Sequence, residues 1–74
     1  MIQKKVGARI KELRNNLKIS QEELADRANV HRTYIASLEV GKRNVSIVTL
    51  EKIVNALEIT LSDFFYFNQG RDYE

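Results

Sequence analysis

The sequence predicts an all-α fold, a compact bundle of five short helices. Its 74 residues include no proline and only three glycines, which favours helices throughout. Apolar residues recur at helical spacing in several separate stretches, as in helices that bury one face. Serine or threonine stands just before three of these stretches, as helix N-caps do. One domain over residues 1–74 is expected at this length. Its helices are predicted at about 3–17, 21–28, 31–39, 47–57 and 61–67, with a frayed tail at 68–74.

The first predicted helix carries a continuous apolar stripe. Its members lie three or four residues apart: Val6, Ile10, Leu13 and Leu17. Gly7 lies inside this helix at a cost of about 1 kcal/mol relative to alanine, and a close contact with another helix would account for it.

Residues 20–39 predict two helices joined by a sharp turn. Ser20, with a glutamate three residues later, forms a capping box at the start of the second helix. Asn29 tolerates the left-handed backbone that ends a helix, and Ala25 is small where the two helices would cross closely. The third helix then begins near His31 and leaves its polar side chains facing outward.

A polar turn is predicted after the third helix, which stops near Gly41. This turn carries two adjacent cations and an asparagine: Lys42, Arg43 and Asn44. Ser46 is placed to cap the fourth helix, and Thr60 is placed to cap the fifth.

The fifth helix contains four consecutive aromatic residues, 64–67. Successive helix positions diverge by about 100°, so the four rings cannot all enter one core. Leu61 with Phe64 or Phe65 would seal the core, and the other side chains would form an exposed apolar surface, which tends to mark a partner site. Alternatively, the short helix frays and its rings fold back. Because so small a domain has a thin core, dimerisation through the fifth helix and the end of the fourth is the economical interpretation.

Several functional classes are excluded by composition. There is no cysteine and only one histidine, which leaves neither a disulfide framework nor a metal site of thiolates or imidazoles. Without a convergent carboxylate cluster as well, we expect no enzyme, no cofactor and no small-molecule ligand. No apolar run is long enough to span a bilayer, and the N-terminal residues lack the apolar region of a signal peptide. A cytoplasmic protein is therefore expected.

Charge is distributed unevenly along the chain, although the net charge is only +2. Residues 1–55 contain eleven basic and six acidic side chains, whereas the residues from 56 onward contain one basic and four acidic side chains. A basic body with an acidic tail suits a polyanionic partner for the body. Taken without a motif, ordinary scatter of surface charge explains the pattern equally well.

The stretch QEELADRANVHRTYIASLE, residues 21–39, resembles the helix-turn-helix of the lambda-repressor/Cro-type DNA-binding family. The matching positions are Gln21, Ala25, Asn29, Ile35, Leu38 and Glu39. That family usually has glycine where this chain has Asn29. The resemblance covers residues 5–66, and the sub-stretch HRTYIASLEVGKRNVSI with its capped fourth helix is most similar to the small controller proteins of bacterial restriction–modification systems.

The resemblance implies a homodimer that binds double-stranded DNA at a palindromic operator. The residues then expected to meet DNA are Gln21, His31, Arg32, Thr33, Tyr34, Ser37, Lys42, Arg43 and Asn44. Arg32 could read a guanine with two parallel donors or could lie on a phosphate. Thr33 could meet a thymine methyl group or bond locally, and Tyr34 could reach DNA or pack its ring at the core edge.

Other residues of the resemblance have structural roles. In the family, an arginine late in the first helix pairs with a glutamate that closes the third, which implies a salt bridge between Arg14 and Glu39. The remaining apolar side chains of the fifth helix are assigned to the dimer interface: Leu61, Phe65, Tyr66 and Phe67.

The controller resemblance implies control of the protein's own promoter and of a linked restriction endonuclease gene. An antitoxin or a phage-type repressor has the same fold and stays open as an alternative. A protein-interaction module that uses the aromatic surface is an alternative of a different class.

Overall fold

Five α-helices and no strands make up residues 1–66, the part of the chain that the computed structural model describes. The helices are α1 (Ile2–Asn16), α2 (Gln21–Ala28), α3 (Arg32–Glu39), α4 (Ile47–Ala56) and α5 (Leu61–Phe64). The predicted all-α class is thus confirmed. The observed limits of α1 to α4 differ from the predicted ones by at most one residue, whereas α5 ends earlier. Phe67 and the tail at 68–74 lie outside the described residues.

Side-chain caps start three of the five helices. The hydroxyl oxygens of Ser20, Ser46 and Thr60 each accept a hydrogen bond from the backbone N–H three residues later, at 3.0–3.1 Å. For α2 only this half of the capping box forms, because the Glu23 carboxylate accepts a hydrogen bond from Arg27 Nε at 3.0 Å instead.

The first four helices all end in the same kind of left-handed turn. Positive φ angles occur at Lys18, Asn29, Gly41 and Glu58, with values between 59° and 76°. After each one, the next backbone N–H reaches the carbonyl five residues back, which satisfies an orphan acceptor of the last helical turn. Asn29 and Gly41 were predicted at such turns, whereas Lys18 and Glu58 were not, since neither residue type signals this backbone.

One apolar core fills the space between the helices. Its fully buried side chains are Ile10, Leu24, Ile35, Leu38, Ile53, Val54, Leu57 and Phe64. The predicted stripe of α1 is wrong at one position: Leu17 follows the end of α1 and is 36% exposed. No helix within residues 1–66 has the length and apolarity to cross a membrane.

Gly7 lies at a close backbone contact between α1 and α3. A methyl group at this position would overlap the backbone carbonyl oxygen of Leu38. The glycine therefore lets α1 lie directly against the last turn of α3. This close contact explains why a glycine occupies the interior of α1.

Candidate nucleic-acid interface

The outward face of α3 begins with its first turn. His31 occupies the N-cap position with extended backbone but makes no side-chain cap hydrogen bond. Arg32 and Thr33 follow it as exposed residues, whereas Ile35 and Leu38 are buried at 0% and 2% exposure. The apolar side of α3 is thus anchored in the core, and the polar side chains of its first turn point to solvent.

An ion pair fixes α3 against α1. Arg14 Nε donates to Glu39 Oε2 at 2.7 Å, and Arg14 Nη2 donates to Glu39 Oε1 at 3.0 Å. The side chains are only 11% and 3% exposed, and Arg14 Nη1 also donates to the Ile19 carbonyl at 2.9 Å. The predicted salt bridge is therefore present in a bidentate, largely buried form. The hydrogen bond to Glu39 raises the pKa of Arg14 above its ordinary value, against the lowering effect of burial.

Gln21 joins the same network from the first turn of α2. Its Nε2 donates to Glu39 Oε1 at 3.1 Å, and the residue is half-buried. One carboxylate thus ties α1, α2 and α3 together. Gln21 is thus hydrogen-bonded to the last residue of α3. Its expected contact with DNA stays a prediction.

The turn after α3 lies beside the outward face of that helix. Lys42, Arg43 and Asn44 are all exposed. The Arg43 guanidinium carbon lies 5.3 Å from the centroid of the Tyr34 ring, within range of a cation–π contact. Tyr34 is half-buried and packs against the core, which holds its ring in place for this contact.

Two further hydrogen bonds at this surface were not anticipated. Gln3 Nε2 donates to Asn44 Oδ1 at 2.8 Å, so the first turn of α1 holds the turn after α3. The Ser37 hydroxyl donates to the Thr33 carbonyl at 2.9 Å, which leaves only the lone pairs of its oxygen for an outside partner. No spacing rule in the sequence would have joined Gln3 to Asn44, which are 41 residues apart.

The exposed cations at this surface make it a candidate site for binding a polyanion. Among residues 1–66, Arg32 and Lys42 have no ion-pair partner, in contrast to Arg9, Arg14 and Arg27. Their charges are therefore not offset by neighbouring carboxylates within this part of the chain.

The C-terminal apolar surface consists of Leu61, Phe65 and Tyr66, which are 43%, 45% and 67% exposed. Phe64 is completely buried, which decides which of the aromatic residues within the described range belongs to the core. Phe67, the fourth predicted interface residue, lies outside the described residues. Sequence reasoning missed Ile47, which is 84% exposed in the first turn of α4.

A groove adjoins this apolar surface. Its volume is about 300 Å³, and its apolar lining is formed by Ile2, Val6, Leu38, Val45, Leu50 and Phe65. Ile47 lies one helical turn before Leu50, so it extends the same side of α4.

Known proteins are similar to this chain in both sequence and fold. The profile of the family described as Helix-turn-helix matches residues 10–64. Control protein C.MunI of Mycoplasma sp is 50% identical over 60 residues, 80% of this chain and 81% of that protein. The crystal structure of the restriction–modification controller protein C.AhdI from Aeromonas hydrophila matches with a TM-score of 0.82 and 40% identity, over 85% of this chain and 91% of that chain. The controller protein C.Esp1396I, solved as a tetramer with its natural 35 base-pair operator, matches with a TM-score of 0.84 and 38% identity, over 88% and 86% of the two chains.

Proposed function

The chain belongs to the helix-turn-helix family of transcription regulators, and on that premise we propose that it binds a palindromic operator in double-stranded DNA as a homodimer. It is a relative of the control proteins of restriction–modification systems. The observation that carries the proposal is the first turn of α3, where exposed Arg32 and Thr33 stand on a helix whose opposite side is buried.

In this proposal α3 enters the major groove and contacts bases from its N-terminal turn. Arg32 donates two parallel hydrogen bonds to a guanine, and Thr33 contacts a neighbouring base or phosphate. His31, Tyr34 and Ser37 lie at the edge of this contact.

Phosphate contacts set the position of α3 in the groove. We assign them to Gln21, at the N-terminus of α2, and to the exposed turn of Lys42, Arg43 and Asn44. The bidentate Arg14–Glu39 pair supports this arrangement because it holds α3 at a fixed angle to α1, so little orientation has to be gained on binding.

The homodimer places two copies of α3 in successive major grooves, about 34 Å apart. The C-terminal apolar surface is the proposed interface, with Phe67 as a further member. Its exposed side chains support this assignment, because adjoining apolar side chains on a small domain tend to mark a partner site.

The cellular role proposed is that of a controller in the cytoplasm. The protein would regulate its own promoter and a linked endonuclease gene, activating at low occupancy of its sites and repressing at higher occupancy. It would carry out no enzymatic reaction. Likeness to C.MunI and C.AhdI supports this role, and an antitoxin or a phage-type repressor stays as the alternative.

Base reading is tested with Arg32→Ala and the DNA immediately upstream of the coding sequence as the probe. We expect specific binding to fall by roughly fivefold to 150-fold, since a bidentate arginine–guanine contact contributes ~1–3 kcal/mol of discrimination. Weak, salt-sensitive binding to random duplex should persist. Lys11→Ala, which removes an exposed cation of α1, is the matched control and should change neither quantity much.

Equal losses on upstream and random DNA would mean that Arg32 contacts only phosphate. If the wild-type protein fails to shift the upstream DNA at low salt and forms a tight heteromeric complex instead, the protein-interaction module is the better assignment. A repeated palindrome upstream with an endonuclease gene beside it would distinguish the controller role from the other repressor roles.

Dimerisation is tested with Phe65→Asp. Burying a new carboxylate in an apolar interface is costly, so sedimentation should show a monomer, and operator affinity should fall. Leu17→Asp, which alters a partly exposed leucine just after the end of α1 and outside the proposed interface, should leave the dimer intact. An unchanged dimer in Phe65→Asp would remove α5 from the interface.

A further inference from the structure

The position of α5 depends on contacts outside that helix. It has only four residues, Leu61–Phe64, and one helical turn is not stable in isolation, because nucleating a helix costs more than its first hydrogen bonds return. The buried Phe64 ring fixes α5 to the core at one point. An apolar anchor does not by itself fix the orientation of the α5 backbone, so a second, polar contact to that backbone helps to set the direction in which α5 presents its neighbouring side chains.

Arg9 of α1 supplies this second contact. Its Nε donates to the Phe64 carbonyl oxygen at 2.8 Å, and its Nη2 donates to the Asp63 carbonyl oxygen at 2.6 Å. The third nitrogen, Nη1, donates to Glu12 Oε1 at 3.0 Å. The Arg9 side chain is only 13% exposed. All three guanidinium nitrogens are thus engaged, and two of them hold consecutive backbone carbonyls at the end of α5.

Both carbonyls belong to the last turn of α5, where acceptors lack partners within the helix. The Asp63 carbonyl also accepts a hydrogen bond from the Tyr66 backbone N–H at 3.2 Å. A cation is favourable at that end of a helix, and the planar fork of arginine can donate to two acceptors at once in a fixed geometry. A lysine ammonium would keep the charge but not the fork. The contact therefore holds the peptide group between Phe64 and Phe65, from which the chain continues into the exposed Phe65 and Tyr66.

We infer that Arg9 is a positioning residue for dimerisation: by clamping the end of α5 from α1, it orients the C-terminal apolar surface toward the second copy of the chain. This inference rests on the proposed homodimer. Arg9 itself lies on α1 and touches neither DNA nor, in this assignment, the partner; it acts through α5.

The test compares Arg9→Met, Arg9→Lys and the control Glu12→Gln. Methionine keeps an unbranched apolar stem and removes all donors, whereas Glu12→Gln removes only the carboxylate charge that Nη1 contacts. We expect Arg9→Met to raise the dimer dissociation constant, measured by sedimentation equilibrium, by at least about tenfold. The reason is that α5 of each subunit loses the two charge-assisted hydrogen bonds that hold it in the orientation needed for dimerisation, so that order has to be gained on association. Arg9→Lys should give a smaller rise, and Glu12→Gln should match the wild type.

Two further measurements separate positioning from general loss of structure. Hydrogen exchange in Arg9→Met should accelerate at the Phe64 and Phe65 amides, which bond to Thr60 and Leu61, while the amides of α2 and α3 keep their wild-type protection. At protein concentrations above the raised dissociation constant, the variant should again bind the upstream DNA with wild-type preference over random duplex, because α3 is unchanged.

A folded Arg9→Met with the wild-type dissociation constant would overturn the inference. If Arg9→Met does not fold, Arg9→Lys decides: a folded lysine variant with wild-type dimerisation and exchange would likewise refute the need for the arginine fork. Failure of the proposed function is distinguishable, because it is seen in the wild type itself, as a monomer at all concentrations or as absence of binding to the upstream DNA.

Discussion

Replacing Arg14 by methionine should destabilise this protein far more than the same replacement at Arg27. Both arginines form ion pairs, but the Arg14–Glu39 pair is 11% and 3% exposed. Arg27 and its partners Glu23 and Glu58 are 36%, 50% and 66% exposed. The two substitutions remove the same side chain, so burial of the partner is the principal difference between them.

The expected magnitudes follow from what each variant leaves behind. Without Arg14, the buried Glu39 carboxylate keeps only the hydrogen bond from Gln21, and breaking a buried pair in this way costs about 3–5 kcal/mol. Without Arg27, the two carboxylates stay in water, and an exposed pair contributes at most about 1 kcal/mol. A chain of 74 residues has a total stability of about 4–11 kcal/mol, so Arg14→Met consumes a large part of it.

Urea unfolding followed by circular dichroism measures both variants on one scale. Adding Glu39→Gln to Arg14→Met should recover part of the loss, because it removes the uncompensated buried charge, and this double variant stays measurable if the single variant unfolds. Equal losses for Arg14→Met and Arg27→Met, or no recovery in the double variant, would refute the reasoning from burial.

Three further outcomes are expected. Gly7→Ala should lower the free energy of unfolding in urea by about 1–2 kcal/mol, because the new methyl group would overlap the Leu38 carbonyl. Helix propensity alone predicts a stabilisation, and observing one would mean that α1 can move away from α3. Asn29→Val should lower the free energy of unfolding by about 1–2 kcal/mol, because the backbone at this position has a φ of 59°. Asn29→Gly should be neutral or mildly stabilising. Equal melting temperatures for the two variants would contradict the left-handed turn. The pKa of Arg14 is raised in the folded protein, so the residue stabilises the fold fully at any pH below the pKa of an unfolded arginine. This stabilisation is lost only when the pH rises through the folded pKa, which is higher still. The stability difference between wild type and Arg14→Met should therefore be the same at about pH 7 and about pH 10, and a fall by pH 10 would argue against this ion pair as its source.

Local signals in the sequence were sufficient where a residue acts on its near neighbours. Ser20, Ser46 and Thr60 cap helices because a hydroxyl reaches an amide three residues on. Asn29 and Gly41 end helices because their backbones tolerate positive φ. The resemblance to a known family supplied the Arg14–Glu39 pair, which no local rule would have found.

Other contacts escaped prediction because they join residues far apart in the chain. Arg9 meets the end of α5 across 54 and 55 residues, and Gln3 meets Asn44 across 41. Leu17 matched the apolar period of α1 but follows the last residue of that helix, so its side chain is not carried onto the buried face. Periodicity predicts which face of a helix is apolar; it does not predict which turn of that face the next helix covers.

Glu39 is hydrogen-bonded to side chains from α1 and α2, so residues 20–39 do not contain all the contacts that hold α3 in place. A copy of this segment grafted into another scaffold would bring Gln21 and Glu39 but not Arg14, and it would also lose the flat side of α1 that Gly7 provides to Leu38. Transplanting the exposed side chains of α3 that are proposed to read bases should therefore succeed only where the host has an arginine and a glycine at the corresponding places in its own first helix.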